Sequence, residues 1–459
     1  MSKIALMIDF GSTYSKFTAV DVDSVKILGQ VTLPTNSQEN LMKCYSLGKE
    51  KILQMIDVDQ PLEEYFCSSA WGGFRMIAIG LTETLTAEAA KRAALGAGTR
   101  ILKTYSYRLK PEQVEEINLA DPDVILLTGG TDGGNHDIIC DNAQILNDKL
   151  HHGVILYAGN RDAVDKMKQI FTNRNITVYY TENVMPSVNV LNAVPVRTIA
   201  QEIFMKKIIQ TKGISDVAKN SSLPIIPTPT AVLKAAQLLA DGYKEQTGIG
   251  PLVILDIGGA TTDVHSVGDG LPTTDDTFFE GLEEPYLKRT VEGDLGMRSS
   301  AQSLVKSKGL EKFKEQLGSD WTDEKIEQAC QIRINNADYI AKTPSEKYFD
   351  NNLASVACDF ATNRHAGRMR KQHSLNRIIY YQTGKDLRKF KTIIGTGGVI
   401  VHNDAPQRIL KEAFQTDTKV LKPVDPTCLV DKHYIISTLG ILAQKYPKQA
   451  LQLLKENLI

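Results

Sequence analysis

The sequence predicts an α/β protein of two lobes, the first of which carries an additional α/β segment. A strand–glycine turn–strand pattern at residues 8–16 recurs at residues 255–263, which predicts a duplicated lobe. Short apolar runs alternate with helical segments across the middle of the first half, and this alternation predicts strand–helix–strand units. We therefore expect lobes at residues 1–250 and 251–459, with the α/β elaboration at about 121–215.

The bulk composition is that of an ordinary globular protein, and its 459 residues exceed what one compact core usually holds. Fifty-three basic against 54 acidic residues give a net charge of −1. This balance predicts neither a nucleic-acid partner nor an anionic membrane surface. No apolar run is long enough to cross a bilayer, and MSKIALMIDFG has a strand pattern and not that of a signal peptide. We expect a cytoplasmic protein.

The cysteines are widely spaced and form no CxxC pair. This spacing gives no support to a disulfide framework, a zinc site or an iron–sulfur cluster. We therefore expect reduced thiols at all six positions, which are Cys44, Cys67, Cys140, Cys330, Cys358 and Cys428.

The elements of the first half follow from local patterns. The runs KIALMIDF, KFTAVDV and VKILGQVTL are rich in β-branched and apolar residues and are separated by turn residues, so they predict three strands. The strand FRMIAIGL, the helix TAEAAKRAALGAG and the strand TRILKTYSYRL follow. Next, DVILLTGG, GVILYAGN and ITVYYTENV are typical of buried parallel strands, with helical segments between them.

Proline punctuation marks the approach to the second half. The stretch SSLPIIPTPT precedes a predicted helix, AVLKAAQLLADG, and a new strand then begins at LVILDIGG. Charged helical stretches are predicted around 308–340 and 355–373. The strand KTIIGTGGVIV and the closing helix ILAQKYPKQALQLLKENL complete the chain.

The first glycine turn, in IDFGSTYSK, has the chemistry of a phosphate loop. Gly11 allows a tight turn and a close approach to a ligand, and the backbone amides with the Ser12 and Thr13 hydroxyls can donate to phosphate oxygens. Asp9 ends the strand and can hold Mg²⁺ through water molecules. Lys16, on the returning strand, can neutralise phosphate charge. Alone, such a turn is equally consistent with an ordinary hairpin.

The second turn, in LDIGGATTD, repeats this arrangement at the start of the second half. Two loops of the same chemistry, each in the first hairpin of one lobe, predict that the lobes clasp one triphosphate. Its glycines, threonines and aspartates repeat the residue types of the first turn. The candidates are Asp256, Gly258, Gly259, Thr261, Thr262 and Asp263.

A third glycine-rich loop, in TIIGTGGVIV, is a candidate for contact with the adenosine. Alone it would be interpreted as a strand–helix turn, because a single glycine-rich loop is a weak signal. Its residues are Gly395, Thr396, Gly397 and Gly398. The similar TGGTDGG at 128–134 lies outside this order, and we interpret it as a structural turn of the α/β segment.

Taken in order, these motifs resemble those of the acetate kinase/sugar kinase/Hsp70/actin superfamily. The two phosphate motifs and the adenosine motif are joined by two stretches that resemble its connecting helices, residues 229–233 and 437–443. Gly440 would permit a close helix crossing at the hinge. The resemblance implies a two-lobed actin-like ATPase fold of duplicated ribonuclease H-like domains, with ATP or ADP and Mg²⁺ bound between the lobes.

Within that superfamily the chain resembles the MutL/GlmL family, which is unrelated to the mismatch-repair protein of the same name. The stretches that carry the resemblance include TGGTDGGN, NVMPSVNVLNAVPVR, EGDLGMRSSA, RHAGR and GKDL, and it covers residues 3–445. It implies an ATP-dependent reactivating chaperone for an adenosylcobalamin-dependent mutase, of the glutamate mutase or aminomutase type. A small second subunit or self-association would be compatible with it.

The resemblance also implies roles for individual residues. Asp9 and Asp256 would hold Mg²⁺ through water, Asp256 or Asp263 would orient the attacking water, and Lys16 would face the γ-phosphate. Other polar residues have both structural and functional interpretations. Arg364 and His365, on a probable helix NRHAGRMRKQH, would face phosphates or the partner, or else solvent. Lys385 would touch the nucleotide or cap a turn, and Asp294 would cap a helix or bind a ligand.

Two other functions fit the same fold. A small-molecule kinase would need a base for its acceptor, and the sequence has no identifiable sugar-binding signature. A non-catalytic scaffold gated by nucleotide would bind without turnover. A third relative, the iron–sulfur ATPase that activates 2-hydroxyacyl-CoA dehydratases, is disfavoured by the scattered cysteines.

Overall fold

A computed structural model of the protein describes residues 3–11, 14–35, 41–56, 62–69, 74–210, 217, 219–374 and 377–459. Three five-stranded sheets organise this part of the chain. Two of them are mixed sheets, one near each end of the sequence, and the third is entirely parallel. Smaller sheets of two and three strands complete the strand inventory of the described residues.

The first mixed sheet has the order β10-β4-β1-β2-β3. Strands β1, β2 and β3 form an antiparallel meander, and β4 and β10 continue the sheet in parallel with β1. All seven residues of β1, IALMIDF, are buried, and six of them are apolar, as is typical of a strand covered on both faces. The strands are β1 Ile4–Phe10, β2 Tyr14–Asp21, β3 Lys26–Pro34, β4 Glu63–Ser68 and β10 Ile226–Pro227.

The second mixed sheet repeats this order and these directions. Three antiparallel strands are again followed by two parallel ones, in the order β16-β14-β13-β19-β20. This repetition confirms the predicted α/β fold with a duplicated strand arrangement. The strands are β13 Leu252–Ile257, β14 Thr262–Val267, β16 Leu287–Glu292, β19 Thr392–Thr396 and β20 Thr427–Val430.

The parallel sheet has the strand order β6-β5-β7-β8-β9 and helices on both faces. One pair of helices, α2 and α6, packs against Met76 and Ala78, and the helices α3, α4 and α5 pack against Ile77 and Ile79. Its strands are β5 Phe74–Gly80, β6 Thr99–Ser106, β7 Val124–Leu127, β8 Gly153–Tyr157 and β9 Ile176–Tyr180. Its helices are α2 Thr86–Gly96, α3 Pro111–Ala120, α4 Asp137–Lys149, α5 Val164–Ile170 and α6 Ala193–Gln210.

This sheet begins at residue 74, well before the α/β elaboration expected at about 121–215. The sequence predicts strands at 74–80 and 99–106, but local sequence does not reveal which sheet a strand joins. The lobe boundary near residue 250 stays a prediction.

The remaining helices lie near the first mixed sheet or in the second half of the chain. They are α1 Leu41–Ile56, α7 Thr228–Asp241, α8 Ala301–Lys308, α9 Leu310–Leu317, α10 Asp323–Asn335, α11 Pro344–His365, α12 Gly398–Val401, α13 Pro406–Leu410, α14 Ile436–Leu442 and α15 Pro447–Asn457. Short strands are β11 Gly242–Tyr243, β12 Gln246–Thr247, β15 Thr277–Glu280, β17 Arg368–Ser374 and β18 Arg377–Thr383. None of the helices that the structure describes has the length and apolar character needed to cross a membrane.

The helix predicted over NRHAGRMRKQH is wrong beyond His365. Helix α11 ends there, and residues 368–374 form strand β17, which pairs antiparallel with β18. Gly367 makes the change of direction possible, because a Cβ at this position would lie 2.7 Å from the carbonyl carbon of Gly384. Tertiary pairing therefore outweighs the helical propensity of the charged residues.

The helices α7 and α14 cross between the two mixed sheets and belong to one buried cluster. At the crossing, a Cβ on Gly440 would lie 1.9 Å from the backbone oxygen of Ala231. The expected close approach at Gly440 is confirmed, and only a glycine fits there without displacing one of the two helices.

Replacing Gly440 with alanine should destabilise the protein, although alanine is the better helix former by about 1 kcal/mol. The added methyl group meets backbone rather than a mobile side chain, and such overpacking costs about 1–3 kcal/mol or more. Urea denaturation measures the change. Gly398→Ala is the matched control, since nothing lies within 4 Å of its Cβ position, and it should be neutral or slightly stabilising. Equal effects of the two substitutions would contradict the close crossing.

Candidate functional site

Asp9 lies near the end of β1 and is almost completely buried. Its Oδ1 accepts a hydrogen bond of 2.6 Å from the Thr228 hydroxyl, and its Oδ2 accepts one of 2.7 Å from the Ser437 hydroxyl. Thr228 is the first residue of α7 and Ser437 lies in the first turn of α14. One carboxylate therefore joins both connecting helices at the floor between the lobes.

Lys16 faces Asp9 across the β1–β2 hairpin, with its Nζ 3.4 Å from Asp9 Oδ2. The same Nζ lies 3.5 Å from the centre of the Tyr434 ring, a cation–π contact. Burial by itself would lower the pKa of Lys16, but Tyr434 and Asp9 raise it above its ordinary value. Asp256 and Asp431 contribute in the same direction. Lys16 is therefore a fixed positive charge among carboxylates.

Asp256 and Asp263 are direct partners across the β13–β14 hairpin. Burial raises the pKa of Asp256 to about 7, the neighbouring Asp263 adds to this shift, and Lys16 opposes it. Burial also raises the pKa of Asp263, and the guanidinium of Arg289 partly offsets that effect. Because the pKa of Asp256 lies near 7, this part of the site can take up a proton near neutral pH.

The two glycine turns are closed by backbone hydrogen bonds. The Gly11 amide lies 3.1 Å from the Tyr14 carbonyl oxygen, and a Cβ on Gly11 would lie 2.4 Å from that oxygen. In the second turn the Gly258 amide donates to the Thr261 carbonyl at 2.9 Å. Both turns are thus tight, as predicted. Ser12 and Thr13 lie outside the described residues.

Thr261 and Thr262 occupy different environments. Thr261 is half-buried, whereas Thr262 is fully buried and its hydroxyl donates to the Leu295 carbonyl at 2.7 Å. Thr262 therefore fastens the second turn to the 293–299 loop. Its hydroxyl is therefore already engaged within the protein.

The EGDLGMR stretch is hydrogen-bonded to the second turn. Amides of Met297 and Arg298 donate to the carbonyls of Gly258 and Gly259, at 3.0 and 2.7 Å. This places the stretch beside the candidate site. Asp294 forms a two-oxygen ion pair with Arg364 at 2.7 and 2.8 Å.

The GTGG loop lies beside the second turn because β19 runs parallel to β13, with Thr396 opposite Asp256. The Thr396 hydroxyl donates to the buried Asp431 at 2.9 Å. Gly397 has φ of +96° and approaches Ile257 so closely that a Cβ would lie 2.3 Å from its carbonyl oxygen. Around Gly398 the space is open, and Gly395 lies within the buried strand.

Other sequence candidates lie in structural roles. Lys385 is fully buried and its Nζ donates to the carbonyls of Pro285 and Tyr286 at 2.9 and 2.8 Å, so it caps a turn. His365 is also buried, and its ring nitrogens lie 2.8–2.9 Å from the hydroxyls of Ser266 and Thr290.

Five residues of the site were missed by sequence reasoning. Thr228 and Ser437 lie in or beside the stretches that resemble connecting helices, where a hydroxyl at a helix start was a usable signal. The other three had no local signal, since each acts on a residue far away in the chain. The five are Thr228, Arg289, Asp431, Tyr434 and Ser437.

The site thus holds two cationic groups beside carboxylates: Lys16 lies near Asp9, Asp256 and Asp431, and Arg289 lies beside Asp263. No three His, Cys, Asp or Glu side chains converge into a ready-made metal site in the part of the chain that the structure describes. All six cysteines are free.

Comparison with known proteins gives a family match over nearly the whole chain. A family model described as "MutL protein" matches residues 5–458. "Protein MutL" of Clostridium tetanomorphum is 44% identical over 461 residues, which cover 99% of each chain.

Solved structures give weaker likenesses. The activator of the 2-hydroxyisocaproyl-CoA dehydratase from Clostridium difficile, with bound ADPNP, is 10% identical with a TM-score of 0.33, covering 99% of this chain and 98% of that one. Plasmodium falciparum glycerol kinase with ADP is 10% identical with a TM-score of 0.39, covering 99% and 92%.

Removing either hydroxyl that serves Asp9 should destabilise the protein. Hydrogen bonds to charged groups contribute about 1.5–3 kcal/mol, so Thr228→Val and Ser437→Ala should each lower the free energy of unfolding by that amount. Thr438→Val is the control on the same helix. Its hydroxyl donates to the neutral Ile435 carbonyl, and its loss should cost about 0.5–1.5 kcal/mol. Urea denaturation that gave the control the largest effect would contradict the role of Asp9.

Proposed function

Because the chain belongs to the MutL protein family, we propose that it is an ATPase that reactivates an adenosylcobalamin-dependent mutase. The observation that carries the ATPase part is the convergence of Asp9, Lys16 and Asp256 from two duplicated hairpins. Each hairpin contributes a carboxylate at the same place in its sheet, next to a glycine turn. Such a pair of turns supports a site for one nucleotide between the lobes.

The residues present fit a triphosphate substrate. Lys16 supplies a fixed positive charge that suits a terminal phosphate. Gly11, Gly258 and Gly259 carry no side chains of their own, and backbone amides in glycine turns of this kind are good donors to phosphate oxygens. Open space at Gly398 would accommodate the adenosine side of the nucleotide.

Asp9 and Asp256 would hold Mg²⁺ through water molecules. A magnesium ion keeps several waters and takes much of its coordination from substrate phosphates, so it does not need an all-protein cage. When bound, it would neutralise phosphate charge during transfer. Thr228 and Ser437 orient the Asp9 carboxylate toward this task from the lobe interface.

Asp256 and Asp263 would orient the attacking water. A carboxylate whose pKa lies near the working pH can accept a proton from water and return it. Asp256 meets this condition, with its pKa raised to about 7 by burial and by Asp263. Lys16, which interacts with both Asp9 and Asp256, would neutralise negative charge on the terminal phosphate. The residues thus divide into those that fix charge and one that moves a proton.

The partner is proposed from the family resemblance. ATP and ADP would favour different arrangements of the lobes around the α7–α14 crossing. A surface that differs between these states can bias the partner's equilibrium through its differential affinity for them. Applied to an inactivated mutase, this cycle would open the enzyme and let damaged cobalamin leave.

A small-molecule kinase is the second candidate, and one observation favours it. A base with a pKa of about 7, as Asp256 has, would also serve to deprotonate an acceptor hydroxyl. Steady ATP hydrolysis in the absence of any added acceptor would favour the ATPase over the kinase.

Affinity for Mg-ATP should rise as the pH increases through about 7. Below this pH Asp256 holds a proton and loses the charge that attracts metal-bound water; above it the carboxylate is free. Titration calorimetry between pH 6 and 8 measures the change. Asp256→Asn should bind more weakly and respond less to pH. Asp275→Asn, at an exposed position, should behave like the unaltered chain. An identical pH response in the Asp256 variant would contradict the assignment.

Reactivation of a mutase is the decisive test of the proposed function. The purified chain with Mg-ATP should restore activity to a glutamate mutase or aminomutase inactivated by damaged cobalamin, and the added cofactor should replace the damaged one. Asp256→Asn should fail, whereas Asp275→Asn should succeed. ATP hydrolysis without any recovery of a mutase would refute the reactivation, and phosphorylation of a small-molecule acceptor would point to the kinase.

A further inference from the structure

Arg289 connects the candidate site with the parallel sheet. Its side chain, on strand β16, is almost fully buried. Its Nη2 lies 3.4 Å from Asp263 Oδ1, while its Nη1 donates to the carbonyls of Leu95 and Thr99 at 3.2 and 3.0 Å. Those two carbonyls flank the turn between α2 and β6: Leu95 lies in the last turn of α2, and Thr99 is the first residue of β6. One guanidinium thus joins a carboxylate of the second lobe to the turn that enters the parallel sheet.

The same turn is held from a second direction by α7. The Thr230 hydroxyl donates to the Ala97 carbonyl at 3.1 Å. Gly98, with φ of +86°, allows this contact, because a Cβ there would lie 2.6 Å from the Thr230 hydroxyl oxygen. The α2–β6 turn therefore contacts both the connecting helix α7 and the second lobe. A movement of α7 relative to the second lobe must change at least one of these contacts.

Helix α2 carries this connection to the opposite end of the parallel sheet. Its first residue, Thr86, accepts hydrogen bonds from the amides of Leu81 and Thr82 at 2.6 and 3.0 Å. The hydroxyl of Thr128, which opens the TGGTDGG loop, donates to the Ile79 carbonyl at 2.8 Å and lies 3.4 Å from the Thr86 carbonyl oxygen. The loops at 80–86 and 128–135 are thus tied to the far end of α2.

The 128–135 loop is itself held in one shape. Asn160 and Asn183 are both buried, and their amides donate to the carbonyls of Gly134 and Gly130, each at 3.0 Å. A loop held this firmly moves as a unit with its supports. It shares the carboxyl edge of the sheet with the segment at 181–192, where Val188 and Val190 are exposed.

We propose that Arg289 is a positioning residue that couples the nucleotide state at Asp263 to the carboxyl-edge loops of the parallel sheet through helix α2. The coupling rests on the proposed ATPase function. When Asp263 engages water or metal-bound water beside the nucleotide, its hold on Arg289 weakens. Arg289 then interacts with the carbonyl oxygens at the α2–β6 turn alone, and this interaction becomes stronger. When Asp263 is released, Arg289 is shared again between the carboxylate and the turn.

The carboxyl-edge loops are the surface on which a nucleotide-dependent partner would sense this change. They lie at the end of α2 remote from the candidate site: the 80–86 loop leads directly into that helix, and hydrogen bonds of Thr86 and Thr128 tie both loops to its first turn. Arg289 is suited to the task because its planar fork contacts three acceptors at once, which a lysine cannot reproduce.

Hydrogen exchange followed by mass spectrometry tests the coupling in the full-length chain. Peptides covering 80–106 and 128–136 should exchange at rates that differ by about 5-fold or more between Mg-ADP and a non-hydrolysable Mg-ATP analogue. In Arg289→Met this difference should be lost, although nucleotide still protects residues 255–263. In Arg289→Lys, which keeps the charge and fewer contacts, the difference should be reduced.

Arg197→Met is the matched control. Arg197 crosses the same interface and donates to the Leu287 carbonyl on β16 at 3.3 Å, but its bond is not to a carboxylate of the site. This variant should keep the nucleotide-dependent difference.

The outcomes separate the coupling from the proposed function. Protection at 255–263 with no response at 80–106 in the unaltered chain would overturn the coupling and leave nucleotide binding standing. A full response in Arg289→Met would overturn the role of Arg289. Failure of the unaltered chain to bind either nucleotide by calorimetry would overturn the ATPase function, and the coupling with it.

Discussion

The buried carboxylate of Asp9 is the constraint on which the region between the lobes depends. A carboxylate taken out of water is costly unless its oxygens are hydrogen-bonded, and Thr228 and Ser437 each serve one of them. Because these two residues begin the two connecting helices, the bonds that stabilise the charge also fix where the helices cross. Gly440 follows from this, since helices brought to one carboxylate approach too closely for a side chain between them.

Duplication places a second carboxylate in the corresponding position, but in a different environment. Asp9 is tied to hydroxyls and to Lys16, whereas Asp256 faces Asp263, and the pKa of Asp256 rises to about 7. Two identical side chains on matching strands thus acquire different chemistry from their neighbours, the usual way in which one fold separates a fixed charge from a proton carrier. The asymmetry supports the proposed ATPase function.

Local patterns were enough to predict both glycine hairpins, the parallel strands and the order of the glycine-rich loops. They were not enough for contacts between distant segments. Thr228 and Ser437 reach Asp9 across 219 and 428 residues of sequence, and nothing in their neighbourhoods names that partner. The helix predicted for the charged run after His365 was wrong for the same reason, because pairing with β18 makes this run a strand. Sheet membership of residues 74–106 is likewise a long-range property.

Any movement of the lobes must affect the parallel sheet, because helix α2 connects the two. Helix α2 spans about 16 Å and is held at one end by Arg289 and Thr230 and at the other by the 80–86 and 128–135 loops. A shift at one end must either move the helix or break buried hydrogen bonds, and leaving a buried partner unpaired costs about 1–3 kcal/mol. That is the size of a typical coupling free energy between two sites. The bonds that dock α2 are therefore strong enough to transmit a change of nucleotide state and weak enough to be reversed by it.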